Sequence, residues 1–290
     1  MYHKINFFFH NSWRARCISG EALYNGSVRG CVFPKCFAAR RKITVSRGFM
    51  MLLTKDRAFY KSLLLLALPI ALQNLVTFSV NLADSVMVGS LGDAAVSGLY
   101  MGNQVQTLLQ VFSGGIEGAI LILAAQYWGK RDTASIRKIV AIGIQFSLSV
   151  GVVLTLVCAL FPEGVIGLFT KDPLTIQTGA DYLRIVCFSY LFFCITQSLI
   201  AAMRSVEVAR IGLYVSLCSL VVNVGLNYLL IFGKLGFPVM GVKGAALATL
   251  IARMAETAII SAYVFLRDRR LELKVSGMFR TDRLLLRDFV

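Results

Sequence analysis

Charge is scarce in this chain. Of its 290 residues 16% are Asp, Glu, Lys or Arg, where a soluble domain of this size carries about 25%. Acids are scarcer still, 15 against 30 bases, for a formal net charge of +15. With 57% hydrophobic residues and a mean hydropathy of +0.71, that shortage excludes an ordinary soluble domain. The basic excess does not indicate nucleic acid. Lys and Arg fall between and outside the apolar blocks, not on one face of a soluble core. No cysteine framework is present either. Cys158, Cys187, Cys194 and Cys218 lie within apolar blocks, where a thiol behaves as a small hydrophobe. Cys31 and Cys36 have no second pair and no His cluster to complete a zinc site. No P-loop for ATP is found, and no enzyme activity and no cofactor are expected.

What the chain has is six apolar blocks, roughly 62–88, 94–127, 138–161, 182–203, 210–232 and 243–266. Each is long enough for a helix across a hydrocarbon core of ~30 Å at ~1.5 Å per residue. The expected class is an all-α membrane protein with six transmembrane helices. The connections "GKRDTASIRK" and "RSVEVAR" and the tail "RDRRLELKVSGMFRTDRLLLRD" are basic. The connections "GSLGD", "PEGVIGLFTKDP" and "GKLGFPVMGVK" carry few bases. This alternation predicts a multi-pass protein with both ends of the chain in the cytoplasm.

Three regions are expected: a basic extension over 1–57, the six-helix lobe over 58–266, and a basic cytoplasmic segment over 267–290. The extension has a short apolar patch, "INFFF", but no signal-peptide h-region or cleavage site. Its first 49 residues read as disordered and as an over-extended start, with Met50 or Met51 as the natural one; a basic membrane-surface anchor is the alternative. The tail ends at "LLLRDFV", where a further helix is able to start.

Polar residues within the blocks are spaced by threes and fours. In the first they are Gln73, Thr77, Asn81 and Asp84; in the second, Asn103, Gln106, Gln110, Ser113 and Glu117. The fifth has Ser216, Ser219, Asn223 and Asn227, the sixth has Thr249, Arg253 and Glu256, and the fourth has a weaker pair, Tyr190 and Gln197. Each set falls on one helix face. Ser and Thr in such stripes also serve as hydrogen-bonding glue between helices. Stripes rich in amides and acids are better satisfied by a water-filled cavity than by a dry interface.

Ionisable residues inside a membrane are functional candidates by default. Arg253 and Glu256, one turn apart, read as a local ion pair. Glu117 lies 12 residues before Gly129, so it either faces the cavity or reaches Arg253 across the bundle. Asp84 has no local partner, but it lies at a depth similar to that of Asn227, with Asn223 one turn deeper. It can exchange a proton or hold a cation there, or merely cap the outer turn. Pro69 interrupts the first helix, and Gly114, Gly115 and Gly118 in the second permit a bend or close packing.

At these residues the chain resembles the multidrug and toxic-compound extrusion (MATE) family of cation-coupled antiporters. The likeness is carried by "LALPIALQNL", "NLADSVMVGSLGDAAVSGL", "AAQYWGKRD", "VVNVGLNYLLIFG" and "GVKGAALATLIAR", in order, over Leu52 to Val290. The resemblance implies one lobe of a twelve-helix, two-lobe transporter of the cell's inner membrane. Such a protein exports bulky, often cationic organic compounds in exchange for H+ or Na+. It implies that this chain supplies the first lobe, with the C-terminal lobe missing as its partner alongside membrane lipid. It makes Asp84 the coupling acid, with Asn223, Asn227 and Thr249 beside it and Na+ as an alternative occupant. Asn227 stands where some members carry Asp, leaving Asp84 the only acid of that cluster. Two other readings are a truncated, non-transporting membrane protein or scaffold, and a lipid-linked sugar flippase. The flippase ranks last, because Arg253 is the only membrane-embedded cation in this reading.

Overall fold

A backbone in hydrocarbon has to satisfy its own N–H and C=O groups, so apolar runs of this length fold as helices. The computed structural model describes residues 57–236, 238–268, 270 and 271. The basic extension expected over 1–57 thus lies outside the described residues except for Arg57, and so does the tail beyond 271. Among the described residues there is no strand and there are eight α-helices. They are α1 Arg57–Gly89, α2 Asp93–Gly129, α3 Thr133–Leu160, α4 Pro162–Gly167, α5 Pro173–Val186, α6 Ser189–Ser205, α7 Arg210–Phe232 and α8 Val242–Ala262. A wider turn, Tyr263–Arg267, continues α8. Helices α1, α2, α3, α7 and α8 are each long and apolar enough to cross a membrane, and α5 with α6 makes a sixth span when that bent pair counts as one.

The fourth block departs from the sequence reading. Instead of one helix over 182–203, the span starts at Pro173 and bends by 54° between Val186 and Ser189. The start is fixed by Asp172, whose carboxylate accepts from the Thr175 N–H at 3.0 Å, and by Pro173 in the first helical position. The bend frees carbonyls, and hydroxyls take them. Thr155 on α3 donates to the Cys187 carbonyl at 3.0 Å, and Ser189 donates to that of Val186 at 2.6 Å. Helix α4 is a further departure. The sequence reading has "PEGVIGLFTKDP", 162–173, as a connection, but Pro162 begins a short helix that buries Ile166 in the core.

Two basic turns reverse the chain by the same device. After α2, the Asp132 N–H reaches the Tyr127 carbonyl at 3.0 Å with Arg131 at φ 58°. After α6, the Val208 N–H reaches the Met203 carbonyl at 2.9 Å with Glu207 at φ 64°. Both are left-handed helix endings without the usual glycine. Beside them, Asp268 caps the Leu271 N–H at 2.9 Å and Arg270 donates to the Val206 carbonyl at 2.7 Å. These turns mark one end of the bundle, called the basic end below.

Helix α1 lies mainly against α7, α7 against α8, and α2 against α3, α5 and α6. One apolar core gathers Leu99, Leu183, Tyr190, Phe193 and Ile231; a second gathers Ile136, Val140, Leu199, Met203 and Ile260. Helices α2 and α5 meet at glycine. A Cβ on Gly98 would lie 2.9 Å from the Gly179 nitrogen, and one on Gly102 would lie 2.6 Å from the Tyr182 ring. Gly114, Gly115 and Gly118 behave differently: a Cβ on any of them would meet nothing within 4 Å among the described residues. They mediate no close helix packing within this lobe. Leu64, Leu68, Leu75, Phe78, Leu82 and Val86 leave the outer face of α1 exposed and apolar, as a lipid-facing or lobe-facing surface requires.

Candidate functional site

Five spans contribute to one polar cavity of about 80 Å³. Helix α1 supplies Thr77, Asn81 and Asp84; α2 supplies Asn103, Gln106, Thr107 and Gln110; α5 supplies Tyr182. Helix α7 adds Ser216, Ser219 and Asn223, and α8 adds Thr249, Arg253 and Glu256. A site of this size and polarity has room for a few waters, each with about three partners. It is too small for a drug-sized molecule, for which pockets start at about 300 Å³.

Asp84 is the most buried acid in the cavity wall, at 5% exposure together with Glu256. Its Oδ1 accepts a short hydrogen bond from Asn227 Nδ2. The same amide donates to Asn223 Oδ1 at 3.1 Å, and Asn223 Nδ2 reaches Thr249 Oγ1 at 3.5 Å. Thr249 in turn donates to the Ala245 carbonyl at 3.0 Å. The carboxylate of α1 is thereby joined through α7 to Thr249, two turns into α8. The spacing of four between Asn223 and Asn227 puts both amides on the α7 face that meets α1. Asn227 Oδ1 is buried and has no partner among the described residues. Such an orphaned acceptor is uncommon in a protein interior. Among the described residues no group of three or more His, Cys, Asp or Glu comes together to hold a metal.

Arg253 and Glu256 form the expected ion pair, Nη1 to Oε2 at 2.8 Å. The guanidinium also stands 5.2 Å from the Phe193 ring centroid, a cation–π distance. The pair therefore lines the cavity as a largely self-neutralised unit, with the charge of Arg253 also acting on Asp84.

Ten of the fourteen sequence-named residues are in or joined to this site: Thr77, Asn81, Asp84, Gln106, Gln110, Asn223, Asn227, Thr249, Arg253 and Glu256. Four are placed elsewhere. Gln73 is buried between α1, α6 and α7, its Oε1 accepting from Arg204 Nη2 at 2.8 Å. Glu117 is half-buried and outside the cavity lining, and no ion pair joins it to Arg253 among the described residues. Tyr190 is fully buried in the apolar core. Gln197 also lies outside the cavity lining. Arg204 corrects a further expectation. It belongs to the last turn of α6, not to a loop, and its guanidinium reaches inward to Gln73.

Tyr182 was not singled out from sequence. Its hydroxyl donates to Asn103 Oδ1 at 3.4 Å at the cavity wall. The signal was present in Gly102, the glycine against which its ring lies, but pairing the two requires knowing that α2 and α5 are neighbours.

The MatE family model matches residues 69–229. The "Probable multidrug resistance protein NorM" of Rhizobium meliloti (strain 1021) is 31% identical over 205 residues, which cover 71% of this chain and 44% of that protein. The "Probable multidrug resistance protein YoeA" of Bacillus subtilis (strain 168) is 27% identical over 78% of this chain and 50% of its own length. Among solved structures, a MATE protein crystallised in a bent conformation superposes with a TM-score of 0.72 at 21% identity, over 79% of this chain and 50% of that one. The outward-facing and inward-facing forms of a multidrug resistance MATE transporter give 0.71 and 0.67. The chain spans about half the length of the curated relatives it matches. Over that span the family model, the relatives and the helix arrangement agree: the chain belongs to the MatE family of multidrug and toxic-compound extrusion transporters.

Proposed function

We propose that this lobe is half of a secondary antiporter that exports drugs or toxic organic cations in exchange for H+ or Na+. The observation that carries the reading is Asp84, buried at 5% exposure and joined through Asn227 and Asn223 to Thr249 on α8. A carboxylate so placed changes its local hydrogen bonding when a proton or Na+ arrives, and α1, α7 and α8 feel that change together. The relatives described as multidrug resistance proteins support the cargo class.

The cavity within the lobe is small, so a drug-sized cargo requires more wall than these six spans give. In this reading the wall comes from a second six-helix lobe, and rocking of the lobes about the cargo alternates access. Membrane lipid covers the exposed apolar faces. The basic connections 129–138 and 204–210 support a bilayer orientation with both chain ends in the cytoplasm and the inner (plasma) membrane as location. Asp84 has no second acid among Asn223, Asn227 and Thr249, which favours proton coupling over a two-carboxylate Na+ site. The test is gradient-driven efflux by Asp84→Asn in the two-lobe transporter. Efflux equal to that of the parent would remove the coupling role.

A further inference from the structure

Helix α4, Pro162–Gly167, is held to the lobe on two of its sides. Ile166 is buried in the core, where a Cβ on Gly179 of α5 would lie 3.2 Å from its Cγ2. Glu163 forms a water-exposed ion pair with Arg184 of α5 at 3.0 Å. These two contacts fix how α4 is turned. A third side is apolar and unpaired: Phe161 and Leu168, seven residues apart and so on one flank, are 67% and 84% exposed. At 3.6 residues per turn Leu168 stands about 140° around the helix from Glu163. Charge on one flank and bulky apolar groups on another suit the boundary between water and hydrocarbon.

What covers the apolar flank follows from α3. Val153, Leu156 and Leu160 leave one face of that span exposed and apolar, as a helix crossing a bilayer does where it meets lipid. Phe161 carries this surface onto α4 without a break. Its N–H closes the last turn of α3 on the Val157 carbonyl at 3.0 Å, and its carbonyl accepts the Val165 N–H at 3.0 Å in the first turn of α4. The flank therefore begins where a span leaves the hydrocarbon, at the level of the headgroups. The connection between α7 and α8, at the same end of the bundle, also exposes Leu235 and Val239. The tight turns at the basic end expose Lys130, Arg131 and Glu207 instead.

We propose that α4 is an interfacial membrane anchor, with Phe161 and Leu168 inserted between acyl chains and headgroups at the end of the bundle away from the basic turns. The partner is the phospholipid bilayer. Through Ile166 the anchor bears on Gly179, the residue at which α5 also meets Gly98 of α2, so the bilayer surface sets the level of α3 and α5 together. The anchor belongs to the lobe and holds whether or not the lobe transports.

Tryptophan fluorescence of the whole chain in phospholipid vesicles tests it. Leu168→Trp is made in a chain whose two tryptophans, Trp13 and Trp128, are replaced by Phe. Its emission should be blue-shifted from that of tryptophan in water. Lipid brominated near the headgroup should quench it at least about twofold more than lipid brominated near the chain end. Gly167→Trp puts the ring on the Glu163 side, where a Cβ meets nothing within 4 Å. It should be quenched by dissolved iodide and only weakly by either lipid. Water-like emission from Leu168→Trp, without quenching by brominated lipid, overturns the anchor and leaves the flank in solvent. Blue-shifted emission without that quenching also overturns it, because protein then covers the flank. So does equal lipid quenching of the two variants, or stronger quenching from the chain end, which would put α4 inside the hydrocarbon.

Discussion

Asp84 is held by an amide where a second acid would bind cations more tightly. Asn227 donates to it and leaves its own Oδ1 unpartnered. Two substitutions separate the consequences. Asn227→Leu removes the donor and leaves the carboxylate buried beside an apolar group, which costs about 1.5–3 kcal/mol for a bond to a charged partner. Thermal unfolding in detergent should show the loss. Asn227→Asp instead puts a second carboxylate beside Asp84. It should create a rise in Tm with added Na+ that is larger than the parent's, because a ligand bound only by the native state stabilises it. Equal Na+ responses in parent and variant would show that these oxygens do not form a cation site.

Helices are the scale at which the sequence was most legible, and also where it misled. Spacings of three and four put Asp84, Asn223 and Asn227 on inward faces, and similar depth put them together; α1 and α7 are indeed neighbours. A helical stripe names a face but not what that face touches. Gln73 and Thr77 share a stripe, yet Gln73 turns to α7 and α6 because Gly212 makes room for it. Tyr190 and Gln197 share one helix, α6, but Tyr190 is fully buried in the apolar core and Gln197 lies outside the cavity lining. The 54° bend between α5 and α6 has no proline or glycine to announce it; hydroxyls of Thr155 and Ser189 sustain it from nearby chain. The contact between α2 and α5 has its own test. Gly102→Val drives a branched side chain into the Tyr182 ring and should lower stability by about 1–3 kcal/mol. It should also displace Tyr182 from Asn103, which a polar-cavity reporter such as quenching of Tyr fluorescence can follow.

Helix starts carry a pH dependence with a definite sign. Hydrogen bonds from the Ser135 hydroxyl and N–H hold the Asp132 carboxyl below its ordinary 3.8, and those of Thr175 do the same for Asp172. A carboxyl whose folded pKa is depressed stabilises the fold above its unfolded pKa, and that stability is lost as pH falls through the folded value. The starts of α3 and α5 should therefore hold at neutral pH and fray below about pH 4. In Asp132→Asn the acid-dependent part of the fraying of α3 should disappear. Amide exchange of residues 133–137, corrected for intrinsic rate, checks both statements.

Over the described residues the chain forms a lobe with a polar cavity inside and exposed apolar helix faces outside. The Asp84 cluster joins three helices toward the end of the bundle away from the basic turns, and Arg204 joins α6 to α1 nearer the basic end. Both meet on α1, the helix with the most exposed apolar surface. An event at Asp84 therefore has one helix through which to reach the rest of a transporter. The measurement that tests this most directly is H+- or Na+-driven drug flux into vesicles, comparing Asp84→Asn with the parent lobe in its two-lobe transporter. Loss of a titratable, charge-holding group predicts a gradient-driven flux reduced by about tenfold or more, with the protein still folded and still able to bind drug. Parental flux that still follows the ion gradient in Asp84→Asn would contradict the role given to Asp84.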